Sequence, residues 1–408
     1  MNNKLPFNKV IIYGAGNIGK DVYGLASAFG MDIVAFVDKS NEKQHEGYVQ
    51  LPVWSIEELS AIDLSDITVI IGILNIEVVQ QVLTELEVKC GFIYRKNMYF
   101  YEDFFKQLVK DMTDEMYYKT LYKGYYGDNL SLDECSIESG NDLYGINTLS
   151  TRSPNVILSL TSYPKRFSTL HLCIKSLLNQ SYKPDKIVLY LTQDEIKSLN
   201  AYNKIIIQKR FGLTITEVDE DLRQHKKYYY AMKEHPNDII ITVDDDAIYH
   251  KDLVKNLMKS YEQHPKCMSA PVAKKIFVKS DGELALYENW DNQYEPLDEP
   301  SMSLMAIGVG GKLHPPHSLH DDALNKELMK KMCFSSEDFW VKSMEVLAGT
   351  KVAFVSEYNG KLPGAIFDTQ ETAVWKHWDE HSGTKQKLLE DILQEYGLPL
   401  SVLSGGDE

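Results

Sequence analysis

Cysteine is scarce in this chain, and its five cysteines do not form the patterns that build disulfide or zinc frameworks. Their number is odd, they lie far apart in the sequence, and no Cys-x-x-Cys pair occurs. These features exclude a disulfide-stapled secreted module and a zinc-ribbon protein. The pattern predicts reduced thiols in a cytoplasmic protein.

Long apolar runs are also missing. No stretch of about 18 apolar residues occurs, so the sequence predicts no transmembrane helix. The first residues, MNNKLPFNKVIIYG, lack the long apolar segment of a secretory signal. We therefore expect the protein in the cytoplasm or at the inner face of the membrane. The sequence leaves both a monomer and a homo-oligomer open.

Positive charge is in deficit, with 43 Lys and Arg against 59 Asp and Glu and a net charge of −16. This balance excludes a general nucleic-acid binder, because phosphate recognition along a strand needs clustered basic residues. The net charge is compatible with a single anionic ligand that is bound by a few nearby basic side chains. Apolar residues make up 44% of the 408 residues, enough for the cores of two or three domains.

Strand and helix patterns alternate in the first 95 residues, which we predict to form a Rossmann-like parallel-sheet domain (1–95). Its first strand leads into a Gly-x-Gly-x-x-Gly pattern formed by Gly14, Gly16 and Gly19, and Asp38 ends the second strand. This is the arrangement of a dinucleotide site. The domain nevertheless has the size of one mononucleotide-binding half.

Three interpretations of this domain stay open: a bound nucleotide or nucleotide-sugar, a purely structural or interaction unit, and NAD-linked redox chemistry. The domain resembles the Rossmann-like N-terminal units of bacterial sugar acyltransferases and capsule-synthesis proteins. A tyrosine-rich helical connector and a polar linker are predicted to follow (96–154). A second alternating α/β block occupies 155–408.

Three consecutive aspartates, Asp244 to Asp246, stand at the end of the apolar segment Ile239–Val243. A strand apolar on both faces is central in a sheet, and ligands of open α/β sheets bind beyond the carboxyl ends of such strands. Asp244 and Asp246 can face the same side of an extended segment, and their carboxylates then repel each other unless they are solvated, protonated or bridged by a cation. Oxygen donors suit Mg²⁺ or Mn²⁺, and a solvated turn is the plain alternative.

Two polar segments precede these aspartates. LTSYPKR follows the first strand of the block and offers hydroxyl groups and one guanidinium group, on Thr161, Ser162, Tyr163 and Arg166. DLRQHKKYY contains a local basic cluster of Arg223, Lys226 and Lys227, cations that suit a diphosphate and its release. A proline-stiffened turn and a solvated helix face are the alternatives.

An acidic pair, Glu337 and Asp338, begins a predicted helix with Ser335 or Ser336 as its cap. Carboxylates in the first turn of a helix interact favourably with its dipole, which is one explanation for the pair. The other is catalysis, because a positioned carboxylate can deprotonate an incoming hydroxyl group.

The block from Asn155 to about Asp391 resembles glycosyltransferases of the GT-A fold, most closely the bacterial family-two-like enzymes of surface polysaccharide synthesis. The resemblance rests on four stretches in the expected order: ILSLTSYPKRF, DLRQHKKYYYAMKEHPNDIIITVDDDAIY, GVGGKLHPPHSLH and SSEDFWVKSM. It implies transfer of a sugar from a nucleotide diphosphate donor to a saccharide or lipid-linked saccharide acceptor.

The resemblance also implies roles for individual residues. Asp244 and Asp246 would hold Mn²⁺ or Mg²⁺ on the donor diphosphate, and Asp245 would line the sugar site. The 161–166 loop and Asp221 would contact the nucleoside, and Gly310 and Gly311 would lie near the donor sugar. His320 is a further candidate metal ligand, Asp338 the expected general base, and Glu337 a supporting or acceptor-binding residue.

A base opposite the leaving group implies single displacement with inversion. The QxxRW motif of processive synthases is absent from the sequence, which favours non-processive transfer. A sugar-nucleotide nucleotidyltransferase and a non-catalytic nucleotide-sugar-binding protein are the competing hypotheses. A nucleotidyltransferase usually carries a glycine-rich loop after its first strand, and the LTSYPKR segment lacks those glycines. A non-catalytic binding protein would give Glu337 and Asp338 no function. Trp375, Trp378 and His381 are expected in an acceptor groove or in the core.

Overall fold

The chain forms two compact α/β units, Met1–Ile137 and Glu138–Glu408. The computed structural model describes residues 9–73, 75–110, 112–127, 143–149, 151–358, 360, 362–367, 369 and 385–404. Trp375, Trp378 and His381 lie outside the described residues. In the described part of the chain, no helix has the length and apolar character needed to cross a bilayer.

The first unit is a five-stranded parallel sheet with the strand order β3-β2-β1-β4-β5. Its strands are β1 (Lys9–Tyr13), β2 (Asp32–Val37), β3 (Val53–Trp54), β4 (Ile67–Ile71) and β5 (Met98–Phe100). Its helices are α1 (Asn17–Ala28), α2 (Asn41–Glu46), α3 (Ile56–Ser60), α4 (Ile76–Cys90), α5 (Tyr101–Val109) and α6 (Asp114–Tyr126). The predicted Rossmann-like topology is therefore confirmed, and α6 packs against α1 in the same unit. The predicted domain boundaries at 95 and 154 stay predictions.

The second unit is built around a seven-stranded sheet with the order β16-β11-β15-β9-β6-β7-β8. These strands are β6 (Val156–Thr161), β7 (Lys186–Thr192), β8 (Leu213–Val218), β9 (Ile239–Thr242), β11 (Met268–Ala270), β15 (Lys312–His314) and β16 (Val352–Phe354). Strands β8, β7, β6 and β9 run parallel, whereas β15 is antiparallel to both neighbours. Strand β9 thus lies in the middle of the sheet, fully buried as its apolar sequence predicts.

Two small sheets complete the strands of this unit. One is a three-stranded antiparallel sheet of β12 (Ala273–Lys275), β13 (Asp291–Asn292) and β14 (Leu304–Ala306). The other pairs β10 (Ala247–Ile248) with β17 (Gly364–Ala365). Strand β14 leads directly into the Gly308–Gly311 loop and β15 follows that loop, so the glycines lie at the edge where β9 ends.

The helices of the second unit cover the large sheet. They are α7 (Phe167–Leu178), α8 (Gln193–Leu199), α9 (Asn203–Ile206), α10 (Lys226–Glu234), α11 (Leu253–Gln263), α12 (Lys326–Cys333), α13 (Glu337–Leu347) and α14 (Lys385–Glu395). Helix α13 is almost entirely buried and packs against α14. Its buried position brings the acidic pair at its start into the interior of the unit.

Candidate active site

The three aspartates follow β9 at the carboxyl edge of the large sheet, where the parallel topology predicts a ligand site. They differ in accessibility: the side chain of Asp244 is 32% exposed, that of Asp246 13% and that of Asp245 6%. Asp244 and Asp246 are therefore the two carboxylates that a ligand can reach. Asp245 instead accepts hydrogen bonds from Ser162 and from the guanidinium group of Arg166.

Arg166 binds two of the aspartates at once, because its Nη1 also lies 3.1 Å from Oδ2 of Asp246. Two predicted donor-site residues, Ser162 and Arg166, are thus brought to the acidic strand end. Nearby, Tyr163 packs its ring 5.5 Å from the Arg166 guanidinium carbon. The hydroxyl of Thr161 donates to the Tyr190 carbonyl oxygen.

Lys227 connects the aspartates with the acidic pair of α13. Its Nζ lies 2.5 Å from Oδ1 of Asp244 and 3.2 Å from Oε2 of Glu337, and its side chain is 3% exposed. Burial opposes its charge, but Asp244 and Glu337 outweigh that effect and raise the pKa of Lys227. Lys227 is therefore a fixed cation between the two acidic groups.

Lys312, the first residue of β15, is a second buried cation that sequence reasoning missed. Its Nζ lies 2.7 Å from Oε1 of Glu337 and 2.8 Å from Oδ1 of Asp338, and its side chain is fully buried. The available signal was a lysine directly after the glycines, in a segment that forms a buried strand, because lysine is almost never buried without a partner.

The two acids of α13 occupy different environments. The side chain of Glu337 is 4% exposed and that of Asp338 26%. Burial raises the pKa of Glu337, but Lys227 and Lys312 overcome that effect and leave the pKa lowered. Burial and the adjacent Glu337 raise the pKa of Asp338 against the opposing effect of Lys312. A carboxylate that is accessible and more basic than usual is the better proton acceptor.

The contacts of Lys226, Arg223 and the candidate metal ligand His320 are with residues outside this cluster. Lys226 pairs with Glu195 at 2.7 Å and with Asp221 at 3.0 Å. Arg223 lies over the ring of Phe334, 4.7 Å from its centroid. His320 accepts a bond from the Asp322 amide through Nδ1 and packs against the ring of Tyr396.

The glycine loop reaches the acidic pair through Gly308. Its amide donates to Oδ1 of Asp338 at 3.0 Å. A Cβ atom on Gly308 would lie 3.0 Å from that oxygen, 3.3 Å from Oε2 of Glu337 and 3.3 Å from Nζ of Lys227. Gly308 thus permits the backbone to approach the cluster, whereas Gly310 packs against Val272, and Gly311 adopts a φ of 86° beside Leu253.

Replacing Gly308 by alanine is expected to lower the catalytic rate about 10²-fold, because the new methyl group displaces Asp338 or Lys227. The steady-state rate of the proposed reaction measures this effect. The melting temperature of the variant serves as the control for global unfolding. An unchanged rate with an unchanged melting temperature would show that the loop does not position the acids.

The residues of this cluster carry an excess of negative charge. Asp244, Asp245, Asp246, Glu337 and Asp338 are five carboxylates, and Arg166, Lys227 and Lys312 are three cations, which leaves two formal negative charges uncompensated. Burial raises the pKa of Asp246 to about 7, and Asp245 and Asp244 contribute to the rise against Arg166. Within the described residues, no group of three or more His, Cys, Asp or Glu is arranged around one metal position. The two uncompensated negative charges, and the partly exposed carboxylates of Asp244 and Asp246, fit a divalent cation that takes its remaining ligands from water and phosphate.

His225 is a buried neutral group beside the cluster, stacked on Phe334 with its ring 9° from parallel. Burial lowers its pKa to about 4, against about 6.5 in an unfolded chain. The folded state therefore binds fewer protons than the unfolded state between these values. The free energy of unfolding is therefore highest above pH 6.5, where His225 is neutral in both states, and it decreases as the pH falls towards 4.

Replacing His225 by glutamine, which does not titrate, is expected to remove this part of the acid sensitivity. Urea unfolding between pH 4 and 7 measures the difference in unfolding free energy between the two proteins. That difference is expected to change by up to about 1.4 kcal/mol per pH unit in the window. A difference that is constant with pH would contradict the assignment.

In the first unit, the glycine pattern forms the predicted turn between β1 and α1. A Cβ atom on Gly19 would lie 1.8 Å from the Gly14 carbonyl oxygen, so only glycine lets the helix approach the strand end. The Asp38 carboxylate accepts the Ala15 amide at 2.7 Å and the Ser40 amide at 2.9 Å. The hydroxyl of Tyr48 donates to the Gly16 carbonyl oxygen. The predicted nucleotide site at this turn stays a prediction.

The second unit is an α/β domain whose large sheet carries an acidic strand end at its carboxyl edge. Residues 161–302 match the family model described as glycosyl transferase family 2, which includes the three aspartates and ends before the acidic pair. This region is therefore a glycosyltransferase domain. Residues 9–86 match the model of the PglD N-terminal domain, in agreement with the Rossmann-like first unit.

Solved structures with similarity to the chain include three glycosyltransferases. The mannosyltransferase PcManGT from Pyrobaculum calidifontis, in complex with GDP-Man and Mn²⁺, is 11% identical, with a TM-score of 0.31 over 52% of this chain and 58% of its own. TarS 1–349 from S. aureus is 12% identical, with a TM-score of 0.31 over 50% and 58%. GalNAc-T7 with UDP, GalNAc and Mn²⁺ is 12% identical, with a TM-score of 0.34 over 62% and 51%.

The chain thus spans less than two thirds of the length of these three structures. At TM-scores this low, the similarities identify neither a substrate nor a cofactor. A search of curated proteins found none that matches.

Proposed function

We propose that this protein transfers a sugar from a nucleotide diphosphate sugar to a hydroxyl group of a saccharide acceptor. One observation carries the proposal: buried Lys227 joins the acidic end of β9, which lies in the region that matches the glycosyl transferase family 2 model, to the acidic pair of α13. In this proposal the residues for the donor phosphate and the residue that accepts the proton are neighbours. This is the arrangement that glycosyl transfer with a nucleotide leaving group requires.

Asp244 and Asp246 are the residues that would hold Mg²⁺ or Mn²⁺. Such an ion, when bound, neutralises charge on the diphosphate and so favours its departure. Lys227 lies against Asp244 and adds a fixed positive charge to the same region. Arg166 keeps Asp245 and Asp246 in place.

Asp338 takes the proton of the acceptor hydroxyl group in this mechanism. The acceptor oxygen forms a bond to the anomeric carbon of the donor sugar, while the bond from that carbon to the diphosphate oxygen breaks. The Lys312 ammonium and the Gly308 amide both bind Oδ1 of Asp338 and so orient the carboxylate. A single displacement of this kind inverts the anomeric centre and adds one sugar per encounter, as in the stepwise synthesis of a surface polysaccharide.

Nucleoside diphosphate release from a panel of nucleotide sugars tests the proposal. Release is expected to depend on Mg²⁺ or Mn²⁺, to stop with chelator and to return when the ion is restored. Asp244→Asn and Asp246→Asn are expected to weaken donor binding and turnover at least tenfold each. Asp252→Asn, a change at a half-buried aspartate that accepts a hydrogen bond from Ser181, serves as the matched control.

Two outcomes would contradict the transfer reaction, and a third would contradict its dependence on a metal ion. Pyrophosphate release from a nucleoside triphosphate and a sugar phosphate would instead identify a nucleotidyltransferase. Donor binding without turnover would identify a binding protein. Full activity in chelator would remove the role of the two aspartates as metal ligands.

A further inference from the structure

A single buried hydroxyl group, that of Tyr249, connects the acidic strand end with the glycine loop. Tyr249 follows β10 and is 1% exposed. Its hydroxyl oxygen accepts the amide hydrogen of Asp244 at 2.9 Å and lies 3.1 Å from the carbonyl oxygen of Val309. A phenol has one hydrogen to donate, and the carbonyl oxygen of Asp244 is farther away, at 3.5 Å. The hydroxyl group therefore accepts from the strand end and donates to the loop.

Tyr249 is fixed through its backbone as well as through its side chain. Its amide donates to Oγ of Ser176, on α7, at 3.1 Å. Burial and the nearby Asp244 carboxylate raise the pKa of Tyr249, so its hydroxyl group keeps its hydrogen at neutral pH. A buried hydroxyl group that retains its hydrogen and has a partner on each side forms a permanent bridge between the two segments.

The loop end of this bridge leads directly to the proposed base. Val309 follows Gly308, whose amide donates to Oδ1 of Asp338 at 3.0 Å. Residues Gly308–Gly310 form one turn of 3₁₀ helix, so the Gly308 amide and the Val309 carbonyl group belong to one short rigid turn. Hydrogen bonds thus run from the backbone of Asp244 through Tyr249 and this turn to the carboxylate of Asp338.

The strand end has further anchors that do not involve Tyr249. The carbonyl oxygen of Asp244 accepts from the thiol of Cys173 at 3.3 Å, and the amide of Val243 donates to the Ser159 carbonyl oxygen on β6 at 3.0 Å. Loss of the Tyr249 hydroxyl group would therefore leave the aspartate in place. The turn would move instead, because a buried carbonyl group without a partner is costly and shifts to find another donor.

We propose that Tyr249 is a positioning residue, which fixes Asp338 relative to Asp244 through the Gly308–Gly310 turn. The inference rests on the proposed glycosyl transfer, in which Asp338 takes the proton of the acceptor hydroxyl group. Tyr249 contacts neither donor nor acceptor in this scheme and acts only through the base. Its hydroxyl group thereby keeps the proton acceptor aligned with the residues for the donor phosphate.

Hydrogen exchange of the Gly308 amide tests this connection independently of turnover. The amide is expected to be protected in the wild-type protein and to exchange about tenfold faster in Tyr249→Phe. Tyr190→Phe is the matched control, because Tyr190 is fully buried and its hydroxyl group donates to Glu234 at 2.9 Å. It is expected to leave the exchange unchanged, and melting temperatures confirm that both variants fold. An unprotected Gly308 amide in the wild-type protein, or unchanged exchange in Tyr249→Phe, would overturn the proposal.

Single-turnover sugar transfer shows whether the effect passes through the base. Tyr249→Phe is expected to lower the rate at saturating donor by about 10–10²-fold, with donor affinity near the wild-type value. In an Asp338→Asn background the same replacement is expected to leave the rate nearly unchanged, because the group through which Tyr249 acts is already lost. An equal loss in both backgrounds, or a wild-type rate in Tyr249→Phe, would overturn the proposal. Absence of transfer by the wild-type protein would overturn the proposed function itself, whereas the exchange of Gly308 is measured without it.

Discussion

Replacing Asp338 by asparagine is expected to lower the rate of sugar transfer by about 10²–10⁴-fold while leaving donor affinity within a few-fold of the wild-type value. Asparagine keeps the shape of the side chain and can still accept from the Gly308 amide and Lys312, but it cannot take a proton at neutral pH. The loss therefore falls on kcat and not on donor binding. Single-turnover transfer with saturating donor, combined with a titration of the donor alone, measures both quantities.

Asp322→Asn is the control for this experiment. Asp322 has a similar exposure, 33% against 26%, and accepts a hydrogen bond from Tyr396 instead of facing the acidic cluster. It is expected to leave the rate of transfer near the wild-type value. Normal turnover in Asp338→Asn would assign proton removal to another group and leave the fold assignment intact.

Replacing Lys312 by methionine is expected to lower the free energy of unfolding by about 3–5 kcal/mol, because Glu337 then keeps only Lys227 and Asp338 loses its paired cation. The Lys312 side chain is fully buried and lies within 2.8 Å of both Glu337 and Asp338. Methionine fills a similar volume, so the loss reports charge and not a cavity. Urea denaturation at neutral pH measures it.

Lys342, a buried lysine on α13, offers the matched comparison for Lys312 on β15. Lys342 and Glu345 are both buried and lie 3.4 Å apart. Burial lowers the pKa of Lys342 and raises that of Glu345, so removal of the lysine leaves a carboxyl group that is readily protonated. Lys342→Met is therefore expected to cost less than Lys312→Met. Equal losses, or a loss below about 1 kcal/mol for Lys312→Met, would contradict the view of Lys312 as an obligatory counter-ion.

Local sequence pattern was sufficient for the α/β alternation of both blocks and for the central position of one strand. Strand β9 is apolar at every position and was predicted to be central, and it lies in the middle of the seven-stranded sheet. The glycine-rich turn after β1 and the parallel topology of the first unit followed from the same kind of pattern. These predictions succeed because periodicity and turn residues act over a few neighbouring positions.

The sequence indicated which residues belong to the candidate site, but not which residues each of them contacts. Lys226 and Lys227 are adjacent in the sequence and looked equivalent, yet helical geometry points Lys226 to Glu195 and Lys227 to Asp244 and Glu337. Gly308, not Gly310 or Gly311, approaches the acidic pair. Adjacent residues of a helix or turn face different directions, so a motif alone cannot say which of them enters a site.

The sequence by itself determined two α/β units, a central acidic strand end and an acidic helix start, because each is written in a short continuous segment. Only the tertiary structure decided that Lys312 lies between Glu337 and Asp338, and that Lys227 joins Asp244 to Glu337. Those residues come from strands and helices far apart in the chain. Their proximity depends on sheet order and helix packing, and no local pattern encodes it.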